Sequence, residues 1–362
     1  MTKHSLKQMI LNEIDNHPKG YAEQLATIGN YSSSSALRKV LNDPKKEFEK
    51  FAGLIKIVEY IWNNESVEIL TAYSKEVDPN KKTARNFLEY LAMNRQKEAF
   101  NELLERMEYS TNKESIEFVK VYRMKSKYNE IQSKDEYMEL INEINQINTN
   151  IHELKTYKKM LKNYCFNMLG NFSMVKALSA EIEHDIELIE NEYIKEAYTI
   201  RTNEVLSYNY LRVYNNPVAA SDYADRIISS DVNEAFKAYA YFIKGYSQLF
   251  TSLNQTVFYL TKSRDIYKTL NREFEEKDLT EKIQFAKAYW GKTTWEDCNF
   301  MSELGEEYQL YLDGCKSHNN KKLMMSLIKF VKNNDIFLAN LPKIELLKNG
   351  YDEEILQELT TI

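Results

Sequence analysis

Apolar residues return along this chain with the three-and-four spacing of one helical face, and each such run stops at a short polar break. Leu6 to Ile14 forms the first run, Tyr21 to Ile28 the second and Ser33 to Leu41 the third, with Gly29-Asn30 as a tight turn between the last two. From about residue 81 the runs pair up. Their first members begin near Lys81, Lys113, Asn150, Glu192, Asn233, Lys277 and Asn319, a spacing of roughly 32 to 44 residues that suits stacked helical hairpins of the tetratricopeptide kind.

The breaks carry turn chemistry. Gly170-Asn171 follows the run ending Cys165 to Leu169, Asn215-Asn216-Pro217 follows Leu211 to Tyr214, and Ser252-Leu253-Asn254 separates a third pair. Within that pair, Ala238 to Gly245 followed by Val257 to Tyr267 is the best tetratricopeptide-like unit, with Gly245 as the small residue that lets two helices approach. The strict consensus is not met, so the repeats are degenerate. Asn63 to Thr83, which holds Asp78-Pro79-Asn80 and three lysines, reads as a joint. The expected division is therefore 1–62 for a helix-turn-helix domain and 63–362 for the repeats.

Composition supports an all-α fold: only 9 Gly and 5 Pro punctuate 362 residues, too few for a protein of many strand turns. The 26 Tyr and 16 Phe are explained as filling between helix layers. A net charge of -6 excludes a protein that coats nucleic acid with its whole surface, yet residues 1–60 carry nine Lys or Arg against seven Asp or Glu. A local basic site remains open. Cys165, Cys298 and Cys315 are odd in number and widely spaced, which fits reduced thiols rather than a disulfide framework. With no apolar run of membrane-spanning length and an amphipathic, acid-containing start, the expectation is a soluble cytoplasmic protein with no membrane partner.

Catalytic chemistry finds no foothold: there is no GxGxxG, Walker loop, HExxH or CxxC. The histidines, His4, His17, His152, His184 and His318, are scattered, and none pairs with another at metal-ligand spacing. The reading is a non-enzyme with no metal and no cofactor.

The N-terminal block is more specific. Ala36, Leu37, Val40 and Leu41 form an inward stripe on the third helix, leaving Ser35, Arg38, Lys39 and Asn42 outward. Such a helix, set after a glycine that supplies positive φ, is the part of a helix-turn-helix that enters the major groove. Arginine grips guanine with two donors, and serine and asparagine read base edges or phosphate. Ser33 and Ser34 add a cap and hydroxyls, and Lys45 and Lys46 follow to meet the backbone. Leu25 stands where a small residue is usual before the turn, so the motif is imperfect. In the repeats, Asn203, Lys237, Tyr241 and Gln284 are candidate groove residues for an extended peptide, with Arg226 and Asp335 as charge anchors.

Taken together, the block Tyr21 to Ile61, the segment Thr83 to Tyr90, the run Thr199 to Asn203 and the ending Asn334 to Gly350 resemble peptide-responsive regulators, and among them the arbitrium receptor (AimR) family of temperate phages. The resemblance implies a homodimer that binds double-stranded operator DNA and activates a regulatory transcript until a short imported peptide fills the repeat groove, whereupon lysogeny follows. By position, Asn203 then holds the peptide backbone and Asp335 meets its arginine, while Arg226 matches the family pattern less closely. The stretch from Trp295 to Asn319 is shorter than the family pattern, which unsettles the register near Gln284. Leu341 to Leu359 is the expected dimer contact. Two other readings stand beside this one: a helical-repeat adaptor that binds a protein partner without DNA, and a peptide-controlled phosphatase or phosphatase inhibitor of the same repeat superfamily.

Overall fold

Asparagine, more than glycine, ends the helices of this protein: among the described residues, Asn30, Asn63, Asn215, Asn271 and Asn334 take positive φ at or just past a helix end, joined by Arg95 and His318, while Asn233 takes it ahead of a helix. The short amide side chain tolerates the left-handed conformation that terminates a helix, which is how a chain so poor in glycine turns so often. A computed structural model describes residues 5–48, 50–230, 233–294 and 305–360. Every regular element among them is helical. Cys298, Trp295 and His4 lie outside the described residues, as does the first part, 295–304, of the stretch read as shorter than the family pattern.

Contacts along the chain define two compact units, the first formed by Met1–Leu169 with Met174–Thr199 and the second by Gly170–Ser173 with Ile200–Ile362. The first unit begins with α1 (Leu6–Asn16), α2 (Tyr21–Ile28), α3 (Ser34–Asn42) and α4 (Phe51–Trp62). Leu6, Ile10 and Ile14 of α1, Leu25 and Ala26 of α2, Leu37, Val40 and Leu41 of α3, and Leu54, Ile57 and Val58 of α4 make a continuous core. These positions recur every three or four residues, so each helix has one face to bury and one to leave in water. The supposed joint after α4 is mostly ordered helix. A 3-10 turn at Asn63–Glu65 leads into α5 (Ser66–Ser74), and the irregular part of the joint is Lys75 to Lys81.

Paired helices follow: α6 (Lys82–Met93) with α7 (Lys97–Glu108), α8 (Lys113–Tyr128) with α9 (Lys134–Gln146), then α10 (His152–Leu169), α11 (Phe172–Glu187) and α12 (Glu192–Arg212). Buried tyrosines hold α6, α8, α10 and the start of α12 together. The Tyr122 hydroxyl donates to Glu89 at 2.9 Å, and the Tyr122, Tyr157 and Tyr198 rings stack with centroids 4.5 and 5.4 Å apart. Glu89 has no solvent exposure, and a buried carboxylate needs such a partner.

The second unit continues with α13 (Pro217–Ile228), α14 (Glu234–Ser247), α15 (Leu253–Thr269), α16 (Glu273–Tyr289), α17 (Glu306–Lys316), α18 (Asn320–Lys332), α19 (Ile336–Lys348) and α20 (Glu353–Leu359). The tetratricopeptide-like unit sits where expected, in α14 and α15. A β-carbon on Gly245 would come within 2.8 Å of Leu260 Cγ, so only glycine permits that approach. Gly314 and Leu323 repeat the device in α17 and α18. Two expectations need adjustment. Lys277 lies inside α16, which starts at Glu273 after the Asn271 break, and the run from Leu341 to Leu359 is two helices divided around Gly350.

Candidate nucleic-acid interface and ligand site

The α2–α3 turn has the expected length but a different internal division. Gly29 has φ -76, and the left-handed residue is Asn30, φ 57. Gly29 marks a close approach to α4 instead: a β-carbon there would lie 2.5 Å from Ile57 Cδ1, and one on Gly53 of α4 would overlap the Gly29 carbonyl. Ser33 caps α3 by accepting from Ala36 N at 3.2 Å. Leu37, Val40 and Leu41 are buried beneath it, while Ala36 is only half-buried.

The outward face of α3 is as the pattern predicts. Ser35, Lys39 and Asn42 are exposed, and Arg38 has 41% of its side chain accessible and pairs with Asp15 of α1 at 3.3 Å. Ser34, Ser35, Arg38, Lys39, Asn42 and Asp43 line an open depression of about 550 Å³. Ser34 is partly occupied in holding the helices together, since its hydroxyl donates to Glu23 of α2 at 2.9 Å. Lys45 and Lys46 are exposed just past the helix end. The arrangement offers cations, amide and hydroxyl groups on one solvent face, with its acids, Asp15 and Asp43, at the edge.

In the second unit the six groove candidates have unlike environments. Asn203, on α12, is buried, and Gln284, on α16, is exposed. Lys237 and Tyr241 share a face of α14; Lys237 pairs with Glu234 at 2.8 Å, and Tyr241 stacks on Tyr259 beneath the ammonium of Lys262 at 5.2 Å. Arg226 lies over the Tyr223 ring at 4.6 Å.

Asp335 is the most constrained of the six. It is 4% exposed, caps α19 by accepting from Leu338 N at 3.1 Å, and forms an ion pair with Arg212 of α12. Burial pushes its carboxyl above the usual carboxylate range, and the Arg212 guanidinium pulls it part of the way back. Arg212 also lies over the Tyr208 ring at 5.4 Å and donates to its hydroxyl at 3.3 Å. Sequence reasoning named Asp335 but not Arg212 or Tyr208, because their partnership is long-range and has no local signature.

A family model described as AimR transcriptional regulator-like matches residues 66–307. The chain belongs to that family. The AimR transcriptional regulator of Bacillus phage phi3T is 26% identical over 383 aligned residues, spanning 96% of this chain and 99% of that protein. The AimR transcriptional regulator of Bacillus phage SPbeta is 25% identical, spanning 92% of this chain and 94% of that one. Among solved structures, selenomethionine phAimR superposes with a TM-score of 0.83 at 24% identity, covering 99% of this chain and all of that one. A ligand-bound phAimR gives a TM-score of 0.69 at 22% identity over 85% of this chain. The likeness establishes the all-α repeat fold. No helix among the described residues is long and apolar enough to cross a membrane.

Proposed function

We propose that this chain is a peptide-responsive transcription regulator that binds double-stranded operator DNA as a homodimer and, on binding a short imported peptide, releases it, so setting the choice between lysis and lysogeny in a bacterial host. The observation that carries the reading is the outward face of α3, where Ser33, Ser34, Ser35, Arg38, Lys39 and Asn42, with Lys45 and Lys46 beyond, meet solvent on a helix held by a two-helix turn. Residues 1–62 are the reading head and residues 63–362 the peptide sensor. The relatives are named transcriptional regulators, which supports a regulator over an enzyme, and one solved relative holds a ligand, which agrees with a ligand-responsive one.

In this reading Asn203, Arg226, Lys237, Tyr241, Gln284 and Asp335 contact the peptide, with Asp335 exchanging Arg212 for the peptide's own arginine. A peptide that prefers one curvature of the repeats shifts the separation of the two α3 helices in the dimer. Small-angle scattering that gives identical dimer dimensions with and without bound peptide contradicts that step. The second copy is placed against the C-terminal segment 341–359, where Ile355 and Leu359 are 58% and 40% exposed.

The test is Arg38→Ala in the full chain, read by fluorescence anisotropy on DNA from around its own gene. Loss of sequence-specific binding agrees with the reading. Unchanged binding rejects the assignment of α3, and the absence of DNA binding in the unsubstituted protein favours the adaptor.

A further inference from the structure

Lys7, within the reading head, is not on its surface. Lys7, on α1, is 8% exposed. Its ammonium donates to the carbonyl oxygen of Asp43 at 2.6 Å and to that of Lys46, and it lies 5.5 Å from the centroid of the buried Phe48 ring. Asp43 is the residue that ends α3, so the cation stands at the negative end of the helix dipole. The far end of the loop is anchored by the buried Phe48 ring, 6.1 Å from that of Tyr73, and the exposed part bonds within itself. Lys46 N donates to Asp43 O at 3.2 Å and Lys45 N to the Asp43 carboxylate at 2.9 Å. Asp43, Pro44, Lys45 and Lys46 are all exposed to solvent.

An ammonium buried against two carbonyls is costly to desolvate, and burial lowers its proton affinity, with Asp43 and Glu47 opposing. An apolar residue of similar length would fill the same space without that cost. What the charge adds is a fixed backbone at the point where α3 gives way to two exposed lysines.

We propose that Lys7 is a positioning residue for the phosphate contacts of this interface: by clamping the Asp43 and Lys46 carbonyls it fixes where the Lys45 and Lys46 ammonium groups meet the DNA backbone. Lys7 is too buried to touch phosphate itself, so its effect passes through those two residues. The inference rests on the DNA-reading proposal above and assigns to α1 a part that the helix-turn-helix pair alone does not supply.

The experiment measures DNA affinity of the full chain against salt concentration. Lys7→Met should weaken binding to every DNA sequence alike, by about tenfold, and lower the slope of log affinity against log salt by about one for each lost phosphate contact. Lys7→Arg, which keeps two donors for the two carbonyls, should restore the slope. In a Lys45→Ala/Lys46→Ala background, adding Lys7→Met should change nothing further. Lys7→Gln, neutral but still a donor, provides a second variant with a smaller loop perturbation and should fall between Met and Arg. A wild-type slope in Lys7→Met or Lys7→Gln overturns the proposal, as does further weakening in the double-alanine background, which a general loss of folding would produce. If binding depends on Arg38 yet ignores Lys7, only this inference falls; if it ignores Arg38 as well, the DNA-reading proposal falls with it.

Discussion

Gly53 of α4 packs face to face with Gly29 of the α2–α3 turn, so closely that a β-carbon on Gly53 would overlap the Gly29 carbonyl and come within 2.8 Å of its carbon atom. The obstacle is backbone, which cannot swing aside as a flexible side chain would. Gly53→Ala should therefore separate α4 from the turn at a cost of about 1–3 kcal/mol and displace α3. Thermal unfolding should show a lowered midpoint, and DNA affinity should fall. An unchanged midpoint contradicts the packing described.

The Arg212–Asp335 pair is asymmetric. Asp335 keeps 5% of its side chain exposed and Arg212 30%, so removing the arginine strands the more buried charge. Arg212→Met should cost about 3 kcal/mol, and Asp335→Asn less, because asparagine still caps α19. Chemical denaturation of the two variants decides it: equal losses, or the reverse order, contradict the burial argument.

Alkaline pH should destabilise the protein in a defined window. Burial pushes the Cys165 thiol up from 9.0 to about 12 and the Tyr73 hydroxyl from 10.0 to about 12. Both groups are neutral in folded and unfolded chains below about pH 9, so their contribution is fully present there. Above it the unfolded chain ionises first, and stability is lost progressively as pH rises to about 12. For Cys165 alone the loss should reach about 2 kcal/mol by about pH 10.5, read as a shift in denaturation midpoint. In the native state the same shift lowers the Cys165 thiolate fraction by roughly a thousandfold, so a thiol reagent should label it only on unfolding. Rapid labelling in a Cys298→Ser background, with Cys315 also replaced by serine, contradicts its burial.

The C-terminal helix should matter for assembly and not for the fold of a single copy. Leu356 is fully buried, but Ile355, Leu359 and Tyr351 are exposed at 58%, 40% and 39%, an apolar face with water on it. Deleting residues 351–362 should give monomers on a sizing column with the remaining helix content intact. A truncated dimer rejects that placement of the contact.

The helices were legible because each has a full apolar stripe: the spacing of Leu37, Val40 and Leu41 is enough to set the facing of α3, and so the outward set Ser35, Arg38, Lys39 and Asn42. The division of labour in its turn was not. Gly29 looked like the residue of positive φ, but what it answers to is Gly53 and Ile57 on another helix, and the left-handed position went to Asn30. The same holds in the second unit. Asp335 was named as a charge anchor for a peptide, whereas Arg212 looked like the end of α12 and nothing more, since only folding brings the two together. Lys7 gave no signal either: on a helical wheel it is one polar residue beside the stripe, and its role depends on two carbonyls, which sequence patterns do not record.

The central claim is that α3 reads DNA and that a peptide in the repeats controls it. Fluorescence anisotropy of the purified protein on DNA from around its own gene, at fixed salt, with and without a pool of short synthetic peptides, tests both halves at once. The expected result is tight binding that one peptide of the pool releases. Binding that no peptide alters, or no binding to any fragment, contradicts it.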